Sequence, residues 1–182
     1  MLSARRLSSA ISMVVAAGLV STVTAWAEGP RRGHADLNGF GENPTLSSPA
    51  FGNLDVKISK DGGSLEYVLT YDGLPTSVLF AHIHLGRPAI NGGVMVFLCT
   101  NSPAPPGPPV PPPCPQVGGT VSGVLTAADV IGPSTQGVSA GEFAEFIRAL
   151  RASAAYGNVH TAAFPGGEIR GQVTFRDRHD DD

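Results

Sequence analysis

Apolar and polar residues alternate along much of this chain, and glycine, proline or asparagine resets the pattern every few positions. That alternation limits the possible folds more than any other feature. Phe51-Gly-Asn-Leu-Asp-Val-Lys-Ile places Leu54, Val56 and Ile58 on one face of an extended segment. Asp61-Gly62-Gly63 then turns the chain, and Leu65-Glu-Tyr-Val-Leu-Thr-Tyr returns, which is the pattern of a β-hairpin. Ala35, Leu37 and Phe40 mark an earlier strand, and Thr120-Val-Ser-Gly-Val-Leu a later one. Residues 77–85 and Val94-Met-Val-Phe-Leu-Cys are apolar on both faces, as suits strands covered from two sides. Residues 155–161 and 168–175 close the series, the last with Ile169, Val173 and Phe175 facing inward. About eight short strands of this kind predict an all-β fold, an immunoglobulin-like or Greek-key sandwich or barrel.

Helical spacing interrupts the strands once. Phe143, Phe146, Ile147 and Leu150 recur on one helix face behind Ser139-Ala-Gly-Glu142, which reads as a capping box. One short inserted helix is therefore expected, its stripe turned to the core. Thr126 to Asp129 reads as a second, shorter helix start.

The ends of the chain read differently. Arg5 and Arg6, an apolar run, and Ala25-Trp26-Ala27 follow the pattern of a secretory signal peptide over residues 1–27. The apolar run is shorter than the roughly 20 residues that a spanning helix needs, so no membrane span is expected after cleavage. Residues 28–33 read as a flexible leader, 34–175 as one domain, and 176–182 as a charged tail. His34 and His179 fall at the expected flexible ends, and Asp180 to Asp182 in the tail. The mature chain would carry ten basic residues against fifteen acidic ones, with no basic stripe, which argues against a nucleic-acid partner. A secreted or periplasmic location follows from the signal, and there disulfides persist. Cys99 and Cys114 are expected to pair, closing a proline-rich loop over residues 100–115. Its prolines favour extended geometry and exclude helix.

The chemistry concentrates on one sheet face. His82 and His84 are two apart on a strand, so they point the same way with Cα atoms about 6.7 Å apart. Asn158 and His160 share a face by the same rule, as do Glu168, Arg170 and Gln172. Two readings fit these residues. In the first, His82, His84 and His160 converge on one metal ion, zinc or copper, both of which suit imidazole, with Asn158 or Glu168 fixing a ring N–H. In the second, the histidines join Asn158, Glu168 and Arg170 in a hydrogen-bonded network, including a Glu168–Arg170 or Glu168–histidine pair. The chain has no GxSxG, HExxH, CxxC or phosphate-cradling glycine loop, so a non-enzymatic role is the expectation.

Several stretches in order resemble a known family, the CHRD domain, named after chordin and also found singly in exported bacterial proteins. They are Leu37-Asn-Gly-Phe-Gly-Glu42-Asn-Pro44, Ala81-His-Ile-His-Leu-Gly86 and Leu125-Thr-Ala-Ala-Asp129. Tyr156-Gly-Asn-Val-His-Thr161 and Gly166-Gly-Glu-Ile-Arg-Gly-Gln172 complete the set. The resemblance implies an immunoglobulin-like β-barrel with a distant likeness to copper/zinc superoxide dismutase. It implies little about activity. The expected role is a binding or structural module of the cell envelope or extracellular space, with an unidentified protein or envelope ligand as partner. The alternative is a copper- or zinc-binding protein, with redox activity among the expectations.

Overall fold

The structure, a computed structural model, describes residues 30–103 and 109–175. The expected signal peptide, residues 28 and 29 of the leader, residues 104–108 of the proline-rich loop, and the tail with His179 lie outside the described residues.

The alternating segments all form strands. They are β1 (Arg32–Asn38), β2 (Phe51–Ile58), β3 (Leu65–Asp72), β4 (Val78–Leu85), β5 (Val94–Thr100) and β6 (Gly119–Leu125). After the single α-helix, α1 (Phe143–Arg151), come β7 (Ala155–Thr161), β8 (Ile169–Gln172) and the two-residue β9 (Thr174–Phe175). Eight strands run in the order β5-β4-β7-β8-β1-β2-β3-β6, with β9 pairing to β1, and every pairing is antiparallel. The sheet curls into a nearly closed barrel. Past the seam between its end strands β5 and β6, the Tyr67 hydroxyl on β3, the neighbour of β6, donates to the Leu98 carbonyl on β5 at 2.6 Å.

The core follows from the alternation. Leu54, Val56 and Ile58 on β2 meet Leu65, Tyr67 and Leu69 on β3, with Ala35, Leu37, Ala81, Ile83, Val159 and Ile169 completing the interior. The stripe of α1, Phe143, Phe146, Ile147 and Leu150, joins the same core. Glu142 reaches back to the Ser139 N–H at 2.6 Å, the carboxylate half of the expected capping box. At the Thr126 start, a single 3-10 turn over Ala127–Asp129 forms, and Asp129 accepts from the Thr126 N–H at 2.7 Å.

Three expectations change. Strand β1 begins at Arg32, paired with Lys57, so the last two residues of the expected leader are sheet. His34 consequently sits within a strand, hydrogen-bonded to Asp55 at 2.8 Å and Asp36 at 3.2 Å. The Asp55 bond lifts its imidazole above the ordinary pKa, working against a smaller desolvation effect. Phe40 does not continue the strand's inward face. The chain enters a 3-10 turn at Gly39–Gly41, and Phe40 is 70 % exposed.

Strand β5 departs from simple alternation in a way that matters for the site. Its partners on β4 run Phe80↔Thr100, Ala81↔Cys99, His82↔Phe97, Ile83↔Val96 and His84↔Val94, so Leu98 and Met95 are skipped. Each skip is a bulge that flips the residues beyond it to the opposite face. Val94, Phe97 and Thr100 therefore face outward together, at a spacing of three, while Met95 and Leu98 are buried.

Cys99 and Cys114 form the expected disulfide. Asn101 ties the base of the loop, donating to the Val78 and Cys114 carbonyls at 3.0 Å each and accepting from the Cys114 N–H at 3.1 Å. Among the described residues, no helix is long and apolar enough to cross a membrane.

Candidate metal centre

All seven residues of β7 are buried, although only alternate ones face the barrel interior. Tyr156, Asn158 and His160 lie on the outer face. Their direct partners on β4 are His84, His82 and Phe80, and Asn158 also faces Arg170 on β8. Elsewhere this outer face is open to solvent. Here loops cover it, and the covering follows from local sequence.

Asn38 ends β1 and caps the following turn, accepting from the Gly41 N–H at 3.1 Å. A side chain at Gly41 would collide with the Arg170 carbonyl, so only glycine lets this turn lie flat on β8. The turn delivers Glu42 onto the outer face, where both of its carboxylate oxygens accept from Asn158 Nδ2, at 3.0 and 3.2 Å. On the other side, the β4–β5 loop folds back over His84. Gly92 permits this, because a Cβ there would strike the Leu85 carbonyl.

Beneath these loops the three histidines converge. One potential ligand nitrogen from each of His82, His84 and His160 lies within 4.8 Å of the others, and all three side chains are buried. The ring centroids of His82 are 5.3 Å from His84 and 5.1 Å from His160. Aromatic rings surround the cluster. Phe80 stacks on His82 at 4.8 Å, Phe97 meets it edge-on at 4.1 Å, and Tyr156 stacks on His84 at 4.8 Å.

Hydrogen bonding fixes two of the rings. His84 Nδ1 lies 2.9 Å from the Gly92 carbonyl, and His160 Nδ1 lies 3.0 Å from the Pro165 carbonyl. A carbonyl only accepts, so both Nδ1 atoms carry the proton and both Nε2 atoms present lone pairs. Neither Nε2 finds a partner among the described residues, and neither does either nitrogen of His82. Burial holds all three rings neutral. His82 is pushed down to about 2 and His160 to about 4, desolvation being the largest cause for each, and His84 is lowered for the same reason.

Among the described residues no hydrogen bond joins His82, His84 or His160 to Asn158, Glu168 or Arg170, and four of the six ring nitrogens have no partner. The other members of the expected network are placed, but differently from expectation. Glu168 accepts from the Ser48 and Thr161 hydroxyls, at 2.7 and 2.5 Å, instead of pairing with Arg170 or a histidine. Arg170 donates to the Ile90 and Arg87 carbonyls and to Asn91 Oδ1, at 2.7, 3.2 and 3.2 Å, and lies 3.4 Å over the Tyr156 ring. Glu42, missed by the sequence reading as a site residue, is a buried carboxyl on this face. Burial raises its carboxyl to about 7, against the opposing pull of Arg170 and Asn158. Tyr156 had a readable signal, since it shares strand parity with Asn158 and His160. Phe97 had none, because the bulges reverse its face.

The donor set suits a transition metal. Catalytic zinc sites use three protein ligands, and an ion held at 2.0–2.1 Å by three nitrogens needs them about 3.3–3.6 Å apart. The ligand nitrogens, within 4.8 Å of one another, would have to draw closer to reach that spacing, and Nδ1–H···O=C bonds such as those of His84 and His160 are of the kind that orient metal-binding histidines. A family model for the CHRD domain matches residues 34–173. No curated protein matches the chain.

Proposed function

The chain belongs to the CHRD-domain family, and on that premise we propose that it is a metal-binding module in which His82, His84 and His160 hold one copper or zinc ion. The four unpartnered ring nitrogens carry this reading. A buried acceptor without a partner costs about 1–3 kcal/mol, and a bound cation is the one ligand that satisfies three such lone pairs at once. The tautomers of His84 and His160 support it, since each already offers Nε2 toward the cluster while its Nδ1 is anchored. No reaction is assigned to the site. The module's wider role is binding in an oxidising compartment. Residues 1–27 act as an export signal, and residues 34–175 form the exported domain. The disulfide and the absence of a spanning helix among the described residues fit that location.

Elemental analysis of the chain, purified from an oxidising compartment beside a His82→Ala/His84→Ala variant, tests the assignment. One equivalent of copper or zinc is expected, lost in the variant while its circular dichroism is unchanged. The ion should also raise the unfolding free energy by about 2.7 kcal/mol at a concentration 100-fold above its Kd. Absence of metal from both proteins, with no thermal shift on adding either ion, overturns the proposal.

A further inference from the structure

Resting on the metal-binding reading, we infer that the ion this site selects is copper(I), a monovalent cation, in preference to zinc(II) or any other divalent ion. The first argument is charge. Among the described residues, the cluster contains three neutral imidazoles and no carboxylate or thiolate. The two carboxylates that reach this face are engaged elsewhere, Glu42 by Asn158 and Glu168 by the Ser48 and Thr161 hydroxyls. Arg170, a fixed cation, lies over Tyr156, whose ring stacks on His84, and so adds positive potential. The cost of removing an ion from water rises with the square of its charge, so a divalent ion is penalised about fourfold more than a monovalent one. Nothing in the cluster supplies the anion that would offset that penalty.

The second argument is coordination. Zinc takes four ligands, and with three from protein it keeps water or an anion in the fourth position. Around this cluster the neighbouring space is filled by aromatic rings. Phe80 lies 4.8 Å from His82 and 4.7 Å from His160, Phe97 lies 4.1 Å from His82, and the unpartnered nitrogens are shielded from solvent. A filled-shell monovalent copper ion is satisfied by two or three nitrogen donors and needs no fourth ligand. The apolar jacket that excludes water from a dication thus leaves a copper(I) ion complete.

The full chain is titrated without oxygen with copper(I) held by a chromophoric competing chelator, and separately with zinc(II) held by a fluorescent one. Copper(I) is expected to bind one equivalent at least 1,000-fold more tightly than zinc(II), with an X-ray absorption edge showing a nitrogen-only shell. Phe97 is half-buried beside His82, so Phe97→Asp places an anion next to the cluster. That variant should bind zinc(II) at least tenfold more tightly than Phe97→Ala does. Zinc(II) binding as tight as copper(I) in the unaltered chain overturns the inference and leaves the metal site standing. Binding of neither ion to the histidines overturns both.

Discussion

Arg170 shows how a single residue can be placed correctly and explained wrongly from sequence. Strand parity puts it beside Glu168, which suggests an ion pair. In the folded chain Glu168 is instead satisfied by two hydroxyls, and Arg170 gathers the β4–β5 loop. Arg170 is 3 % exposed, so its hydrogen bonds are shielded from water. Arg148, by contrast, has a side chain 60 % exposed and pairs with Glu145 one turn away on α1. Hydrogen bonds to a charged group contribute about 1.5–3 kcal/mol each, whereas exposed pairs of the Arg148 type contribute about 0.3–0.5 kcal/mol. Arg170→Ala should therefore lower the unfolding free energy by about 3 kcal/mol or more, and Arg148→Ala by less than about 0.5 kcal/mol. Equal urea midpoints for the two variants would show that the loop carbonyls are not held by Arg170.

Strand β5 and the loop that follows it show the limits of pattern reading at the level of an element. Val94-Met-Val-Phe-Leu-Cys reads as a buried strand, and it is one. Parity alone would place Phe97 on the same face as Cys99 and Met95. Two bulges place it on the opposite face, against His82. The disulfide after the strand was readable, because a two-cysteine chain offers one intramolecular pairing and the loop between the cysteines is rich in proline. Closing a loop of 15 residues stabilises a fold by roughly 3 kcal/mol through the lost entropy of the unfolded chain. The Cys99→Ser/Cys114→Ser variant is expected to lose about that much in a denaturant melt, with the metal stoichiometry retained. Loss of metal along with stability would mean that the staple also positions Phe97 and His82.

At the scale of the whole molecule, the buried titratable groups set how stability responds to pH. With metal removed by chelation, His82 and His160 titrate at about 2 and about 4 in the folded state, from an ordinary value of 6.5, and His84 is also lowered. Between those values the unfolded chain binds protons that the folded chain refuses. The stability associated with neutral histidines is therefore complete above about pH 6.5 and is lost as pH falls. Glu42 has the opposite sign. Its carboxyl is raised from 4.5 to about 7, so its contribution is complete below about pH 4.5 and is lost as pH rises through 7. Three histidines outweigh one carboxylate. The apo chain should become more stable from pH 4.5 to 6.5, and His82→Ala should reduce that slope by about 1.4 kcal/mol per pH unit. A urea midpoint that is flat across this range, or that falls, would contradict the burial of neutral rings.

The sequence by itself determined the faces of the regularly alternating strands, the hairpin, the core stripe of α1, the pairing of the cysteines, and the fact that His82 and His84 point together. All of these follow from short-range periodicity or from counting, so neighbouring residues carry the information. It also carried the family, through motifs spread along residues 34–175. The tertiary structure alone decided that His160 lies within reach of the other two, since that depends on β7 pairing with β4 across more than seventy residues of chain. It alone decided that Glu42 comes to lie on Asn158, that two bulges turn Phe97 toward His82, and that four of the six ring nitrogens of the three histidines find no partner among the described residues. A bare nitrogen is a statement about everything that fails to reach it. It depends on long-range placement, which short-range periodicity does not carry.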